Sequence, residues 1–365
     1  MSTSEEKNEH PVHRLLSHVK RKRNILVMCH NNPDPDTIAA AAALKSIFSH
    51  QLKCKVVIGY GGIVGRAENR QMIRRLHIEV TNVKEFDFRD FSFICLVDSQ
   101  PRTGNNDVPR HILPDVVIDH HPLRKETRRC PFYDVRPDYG SSSTILTEYM
   151  RALDIVPDRR LATALVYGIK TDTGWLSRSA TKHDLDAFNY LFPLISSRTL
   201  AAIESPRMPK SYYIKFIDTI NNAVQYQDVI ISDIGKVNNP DVAAEMADFL
   251  LKMENIRWVL TMGEYKEELI ISVRTSRRGW WAGKIALRIL RGIGVGGGHE
   301  KAAGGKVTLS GLSPDQRKQK AERVTERFLK AVGMSNIQGR PLVSLSSSDT
   351  SRTVVGMSAQ TGAAQ

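Results

Sequence analysis

The 365-residue chain has only four cysteines, Cys29, Cys54, Cys95 and Cys130. They are far apart in sequence and no CxxC pair occurs. A disulfide framework and a thiolate zinc site are therefore not expected, and the thiols read as buried or free groups of a reducing compartment. Long apolar runs are also lacking. The longest in the first third is Ile38–Leu44, closed by Lys45, well short of the ~18–20 residues that a membrane-spanning helix needs. The opening residues MSTSEEKNEH are polar and acidic, so no secretory signal is expected and the cytoplasm is the default location. Hydrophobic residues make up 41% and charged residues 25%. That is globular composition, with apolar material for more than one core.

What the chain has in excess is positive charge, +13 in all. Much of it is local, as in Lys20–Arg23 and Arg124–Arg129. Such a balance suits anionic partners such as nucleic acid, nucleotides or polyphosphate, although a run of basic residues is also what a solvated face looks like.

Apolar and polar patterning divides the chain. Residues 1–22 read as a tail running into an amphipathic helix. Strands are expected at 24–30, 55–59, 91–98 and 115–119, alternating with helices at 37–48 and 66–76. Further helices are expected at 142–153, 158–171 and 182–195. Strands separated by helices imply right-handed crossovers and a mostly parallel α/β sheet with helices on its faces, here over residues 23–196. A linker helix is expected within 197–227, and a second, smaller α/β unit over 228–333. Residues 334–365, rich in Ser, Thr, Gly and Ala, read as a disordered tail.

The acids fall at telling places. Strand one ends in His30-Asn-Asn-Pro-Asp34-Pro-Asp36, strand three in Asp98, and strand four in Asp119-His120-His121; Asp172 ends a helix. In an open parallel sheet, ligands bind beyond the carboxyl ends of the strands. A single Asp, Asp36 above all, would be read as a helix cap. Several carboxylates on one edge repel unless a cation or protons compensate. Mixed carboxylate and imidazole donors suit divalent ions such as Mn²⁺ or Mg²⁺. A carboxylate bridging two such ions would hold them about 3.5–4 Å apart, the spacing that clamps the oxygens of an in-line phosphoryl displacement.

The series His30-x-x-x-Asp34-x-Asp36, Asp98, Asp119-His120-His121 and Asp172-Thr-Gly resembles the four-motif signature of the DHH phosphoesterase superfamily. The later Gly296-Gly297-Gly298-His299, followed by Ala302-Ala303-Gly304, resembles the glycine-rich motif of its DHHA1 domain. The small two-domain members of the nanoRNase/oligoribonuclease and phosphoadenosine-phosphate phosphatase type are the nearest group. The resemblance implies two divalent cations, Mn²⁺ first and Mg²⁺ as the alternative. His30, Asp34 and Asp98 would hold one; Asp36, Asp98, His120 and Asp172 would hold the other, with Asp98 shared. Asp119 would orient an imidazole, and His121 would face the substrate. Arg102 would reach a phosphate oxygen.

Arg274 resembles the family's substrate-anchoring arginine, with Arg277 and Arg278 as helpers. Gly296, Gly297 and Gly298 would offer successive N–H groups as an anion nest, and His299 would touch a phosphate or base. Trp280 and Trp281 are read as packing residues before stacking platforms. A cleft between the two domains would favour a short oligonucleotide or small nucleotide, such as 3′-phosphoadenosine 5′-phosphate. Cyclic or linear dinucleotides and polyphosphate are the alternatives, and a non-enzymatic nucleotide-binding module is disfavoured. No membrane partner is expected, and a homodimer is a compatible assembly.

Overall fold

The computed structural model describes residues 10–343 apart from 53, 178–179 and 278. Arg278, residues 1–9 of the N-terminal tail and residues 344–365 of the C-terminal tail lie outside the described residues. The chain divides into two compact units, residues 1–207 and 208–365.

In the first unit the elements run α1 (Pro11–Val19), β1 (Asn24–Met28), α2 (Pro35–Gln51), β2 (Lys55–Tyr60), α3 (Ala67–Leu76), β3 (Thr81–Asn82), β4 (Phe93–Val97), β5 (Val116–Asp119), β6 (Phe132–Val135), α4 (Ser142–Ala152), α5 (Arg159–Asp172), α6 (Lys182–Leu191) and α7 (Ser197–Glu204). The six strands form a sheet in the order β3-β2-β1-β4-β5-β6, and every pairing is parallel. β1 and β4 are almost wholly buried, as strands covered on both faces must be. The order reverses between β1 and β4, and that is where an open parallel sheet leaves a crevice.

Two edge strands, β3 and β6, were not expected. β3 is only two residues long, and β6 (Phe-Tyr-Asp-Val) carries too little apolar signal to be read alone. Local chemistry fixes the helix starts. Pro35 occupies the first turn of α2 with its φ already helical, and Asp34 caps that helix by accepting from Thr37 N at 3.1 Å. The capping role expected of Asp36 thus belongs to Asp34. Asp36 is fully buried and turns elsewhere.

The stretch 197–227, expected to hold one linker helix, holds two. α7 closes the first unit, and α8 (Lys210–Asn221) belongs to the second, with Pro206 and Pro209 between them. After α8 come β7 (Ala223–Tyr226), β8 (Val229–Lys236), α9 (Asp241–Leu250), β9 (Trp258–Tyr265), β10 (Glu268–Thr275), α10 (Ala282–Leu290), β11 (Val295–Gly298), β12 (Ala302–Thr308), α11 (Pro314–Val332) and β13 (Arg340–Pro341). Their seven-stranded sheet has the order β11-β12-β10-β9-β8-β7-β13, antiparallel except between β8 and β9. Trp258, Phe328 and Leu260 are buried at its core. Trp280 packs edge-on to Trp258 at 6.0 Å, whereas Trp281 is exposed.

Candidate metal centre

Four separated stretches meet at the carboxyl ends of β1, β4 and β5. His30 follows β1, Asp98 follows β4, His120 follows β5, and Asp172 is the last residue of α5. His30 Nε2 lies 3.5 Å from Asp34 Oδ1 and 3.6 Å from Asp98 Oδ2. His120 Nε2 lies 3.4 Å from Asp98 Oδ1 and 3.0 Å from Asp172 Oδ2. Three groups have ligand atoms within 4.8 Å of one another: His30, Asp34 and Asp98; Asp36, His120 and Asp172; and Asp98, His120 and His121.

The surroundings test whether these donors suit a cation. His120 Nδ1 is 3.2 Å from the Tyr139 carbonyl, and His30 Nδ1 is 3.0 Å from the Asn31 carbonyl. A carbonyl only accepts, so each Nδ1 carries the proton and each Nε2 is turned into the cluster. His120 Nε2 is buried and, despite its short distances to two carboxylates, is aligned for a hydrogen bond with neither. A polar atom left this way inside a ring of carboxylates is what a divalent cation would satisfy.

Electrostatics agree. Burial, then Asp98 and Asp172, pushes the Asp36 carboxyl well above the usual range. Burial also raises Asp98. Burial alone would lower the His30 imidazole, but Asp34 and Asp98 outweigh it and raise it to about 10. The same contest raises His120, through Asp172 and Asp98. Crowding thus favours protons on the cluster, and a cation held there would compete with them.

The frame around the cluster comes largely from residues that sequence reasoning missed. Asp36 accepts from Ser142 N at 2.7 Å and Ser143 N at 2.8 Å, the first backbone donors of α4. Ser142 Oγ donates to Asp98 Oδ1 at 3.1 Å. The available signal was the run Gly140-Ser-Ser-Ser-Thr144 at a helix start, whose orphan N–H groups favour an anion. Gln100 is a second omission. It is buried and donates to Asp119 Oδ2 at 2.6 Å, while its carbonyl accepts from Arg124 N and Thr127 Oγ1. Asp119 in turn faces His121 Nδ1 at 2.8 Å. Asp119 therefore lies beside the cluster and orients His121, whose side chain is 38% exposed.

Not every expected residue joins. Arg102 is exposed with Nη2 on the Arg110 carbonyl, and among the described residues it forms no ion pair with the clustered acids. In the second unit, Arg274 is the next-to-last residue of β10, with Nε 2.5 Å from Asp248 and Nη1 on Ser272 Oγ and the Ala303 carbonyl. His299 N donates to the Ala302 carbonyl, so His299 and Arg274 occupy one end of that sheet. Arg277 instead lies over the Trp280 ring at 4.5 Å.

The glycine run is not a nest. Gly296, Gly297 and Gly298 form the edge strand β11, paired with Gly305, Gly304 and Ala303. Extended backbone points successive N–H groups to opposite sides, whereas a nest gathers them. Gly296 and Gly298 instead allow close packing, whereas a Cβ at Gly297 would meet open space. A Cβ at Gly298 (φ +152°) would lie 2.4 Å from Ala303, and one on Gly283 of α10 would lie 2.2 Å from the Gly298 carbonyl oxygen.

Comparison with known proteins follows the same division. Residues 24–169 match the DHH family, N-terminal domain, and residues 224–334 match the DHHA1 domain. Protein MJ1633 of Methanocaldococcus jannaschii is 34% identical over 315 residues, 86% of this chain and 64% of that protein. Cyclic-di-AMP phosphodiesterase GdpP of Bacillus subtilis is 25% identical over 87% of this chain and 49% of its own length. The chain thus spans about two thirds of the first relative and half of the second. The crystal structure of an exopolyphosphatase-related protein from Bacteroides fragilis superposes with a TM-score of 0.71 at 16% identity, over 89% of this chain and 97% of that one. The chain thus carries a DHH family N-terminal domain at residues 24–169 followed by a DHHA1 domain at residues 224–334, each within one of its two compact units.

Proposed function

We propose that the protein is a phosphoesterase dependent on two divalent cations, Mn²⁺ foremost, that hydrolyses short oligonucleotides or small nucleotides such as 3′-phosphoadenosine 5′-phosphate. The observation that carries this reading is the convergence of His30, Asp34, Asp36, Asp98, His120 and Asp172, with a buried imidazole nitrogen directed into their midst. His30, Asp34 and Asp98 would hold one cation. Asp36, His120 and Asp172 would hold the other, and Asp98, within reach of both imidazoles, would be shared. Bound cations would supply Lewis-acid polarisation of phosphoryl oxygens and a more acidic water.

The chain's own groups do the rest. Tyr139 and Asn31 carbonyls fix the tautomers of His120 and His30. Asp119 accepts from His121 Nδ1 and, with Asp98, outweighs burial to raise that imidazole; the protonated ring would donate from Nε2 to a phosphate or leaving-group oxygen. In the second unit Arg274, oriented by Asp248, would bind a further, non-scissile phosphate beside His299.

A cyclic-dinucleotide reading draws on the likeness to GdpP. A substrate panel with Mn²⁺ separates the readings: di- to pentanucleotides, the bisphosphate nucleotide, cyclic dinucleotides and polyphosphate. Fastest turnover on short linear nucleotides supports the proposal. Turnover confined to cyclic dinucleotides or polyphosphate replaces it, and no Mn²⁺-dependent turnover on any of them overturns it.

A further inference from the structure

A buried carboxylate outside the cluster ties together the supports of one metal group. Asp184, in the first turn of α6, is fully buried. It accepts from Gly140 N at 3.1 and 2.9 Å, from Thr144 Oγ1 at 2.5 Å, and from Thr181 N and Oγ1 at 2.8 Å each. Four donors match the lone-pair capacity of an ionised carboxylate. Gly140 N–H, which can only donate, spans both oxygens, Thr144 Oγ1 lies on Oδ1, and Thr181 N–H and Oγ1 lie on Oδ2. Either orientation of an amide side chain would set its NH2 against the Gly140 N–H.

The segment that Asp184 grips supports the cluster. Tyr139, next to Gly140, receives His120 Nδ1 on its carbonyl. Ser142 and Ser143, two and three residues on, give Asp36 its two backbone hydrogen bonds. Thr173, which begins the loop after Asp172, is buried, and Thr181 directly precedes α6. A Cβ at Gly140 would lie 2.6 Å from Asp184 Oδ2 and 2.7 Å from Thr173 Cγ2, so segment, loop and carboxylate are in contact. Asp36, His120 and Asp172 are thus all steadied from one point. Of the other group, His30 takes its orientation from Asn31 and Asp34 from its own helix cap; only the shared Asp98 touches the gripped segment, through Ser142 Oγ.

We infer that Asp184 is a positioning residue that sets the divalent-cation affinity of the Asp36–His120–Asp172 group selectively, by holding residues 139–143 and, through their contact with it, Thr173 beside Asp172. The inference rests on the metal reading above and goes beyond it by giving the two groups unequal dependence on a distant side chain.

The test is Mn²⁺ titration of the full chain by calorimetry, with equilibrium dialysis for stoichiometry. His30→Ala, which deletes a ligand of the other group, assigns the steps. Asp184→Asn is expected to weaken the Asp36–His120–Asp172 step about 10- to 100-fold, the usual scale for supports of metal ligands, and to leave the other step close to wild type. Gly140→Ala forces the same joint from the opposite side and carries the same expectation should Asp184→Asn fail to fold. Leu191→Ala, a buried apolar truncation on the same helix, is expected to lower the melting temperature without moving either step. A wild-type protein that takes up no Mn²⁺ overturns the metal reading itself. A wild type with two steps and a folded variant with both unchanged, or both lowered alike, overturns the positioning role alone.

Discussion

The two sheets of this protein handle polar groups in opposite ways. In the first unit a wholly parallel sheet ends in acids and imidazoles, and their mutual repulsion is left for a cation or protons to relieve. In the second, the mixed sheet ends in an arginine already matched by an acid, Arg274 on Asp248 at 2.5 Å. Among the described residues, every group of side chains able to hold a metal belongs to the first unit. Parallel strands aim successive chain ends at one rim, so charges accumulate there. Antiparallel strands return the chain, and Gly296 and Gly298 of β11 and Gly305 of β12 serve close packing instead. Strain in the first unit is electrostatic, while the second unit matches its charge locally and packs its backbone closely.

Asp98→Ala should break the contrast most completely. Asp98 is within 3.6 Å of His30 and 3.4 Å of His120, so its loss should empty or weaken both groups. Turnover is expected to fall by at least about 10³-fold, the scale of several kcal/mol of lost charge stabilisation. Full Mn²⁺ occupancy with normal rate in that variant would remove the proposed centre. In the second unit, Arg274→Ala should leave Mn²⁺ affinity alone and lower kcat/KM by about 10- to 100-fold for substrates carrying a second phosphate, from the loss of a charge-assisted contact worth about 1.5–3 kcal/mol. A minimal phosphodiester without that phosphate should be spared. Equal losses on both would deny Arg274 an anchoring role. The smallest effect should come from Gly283→Ala, whose new Cβ meets the Gly298 carbonyl oxygen. Overpacking of this kind costs about 1–3 kcal/mol, which urea unfolding would register. A fall in Mn²⁺ affinity alongside it would blur the division between the units.

The sequence alone determined the parallel sheet and the positions of its acids. Apolar runs of β1, β4 and β5 are legible because buried parallel strands carry no polar alternation, and the residues following them are fixed by chain order. It did not determine how those acids are held. Ser142 N–H, Ser143 N–H and the Tyr139 carbonyl act through backbone atoms, which every residue type possesses, so beyond the serine run at a helix start and the Ser142 hydroxyl on Asp98 their identity carries no signal. Gln100 and Asp184 act across 19 and 44 residues of chain respectively. The glycine run shows the same limit from the other side. Composition permits a nest or a strand, and only pairing with β12 selects the strand, because backbone hydrogen bonds depend on which segments meet in space.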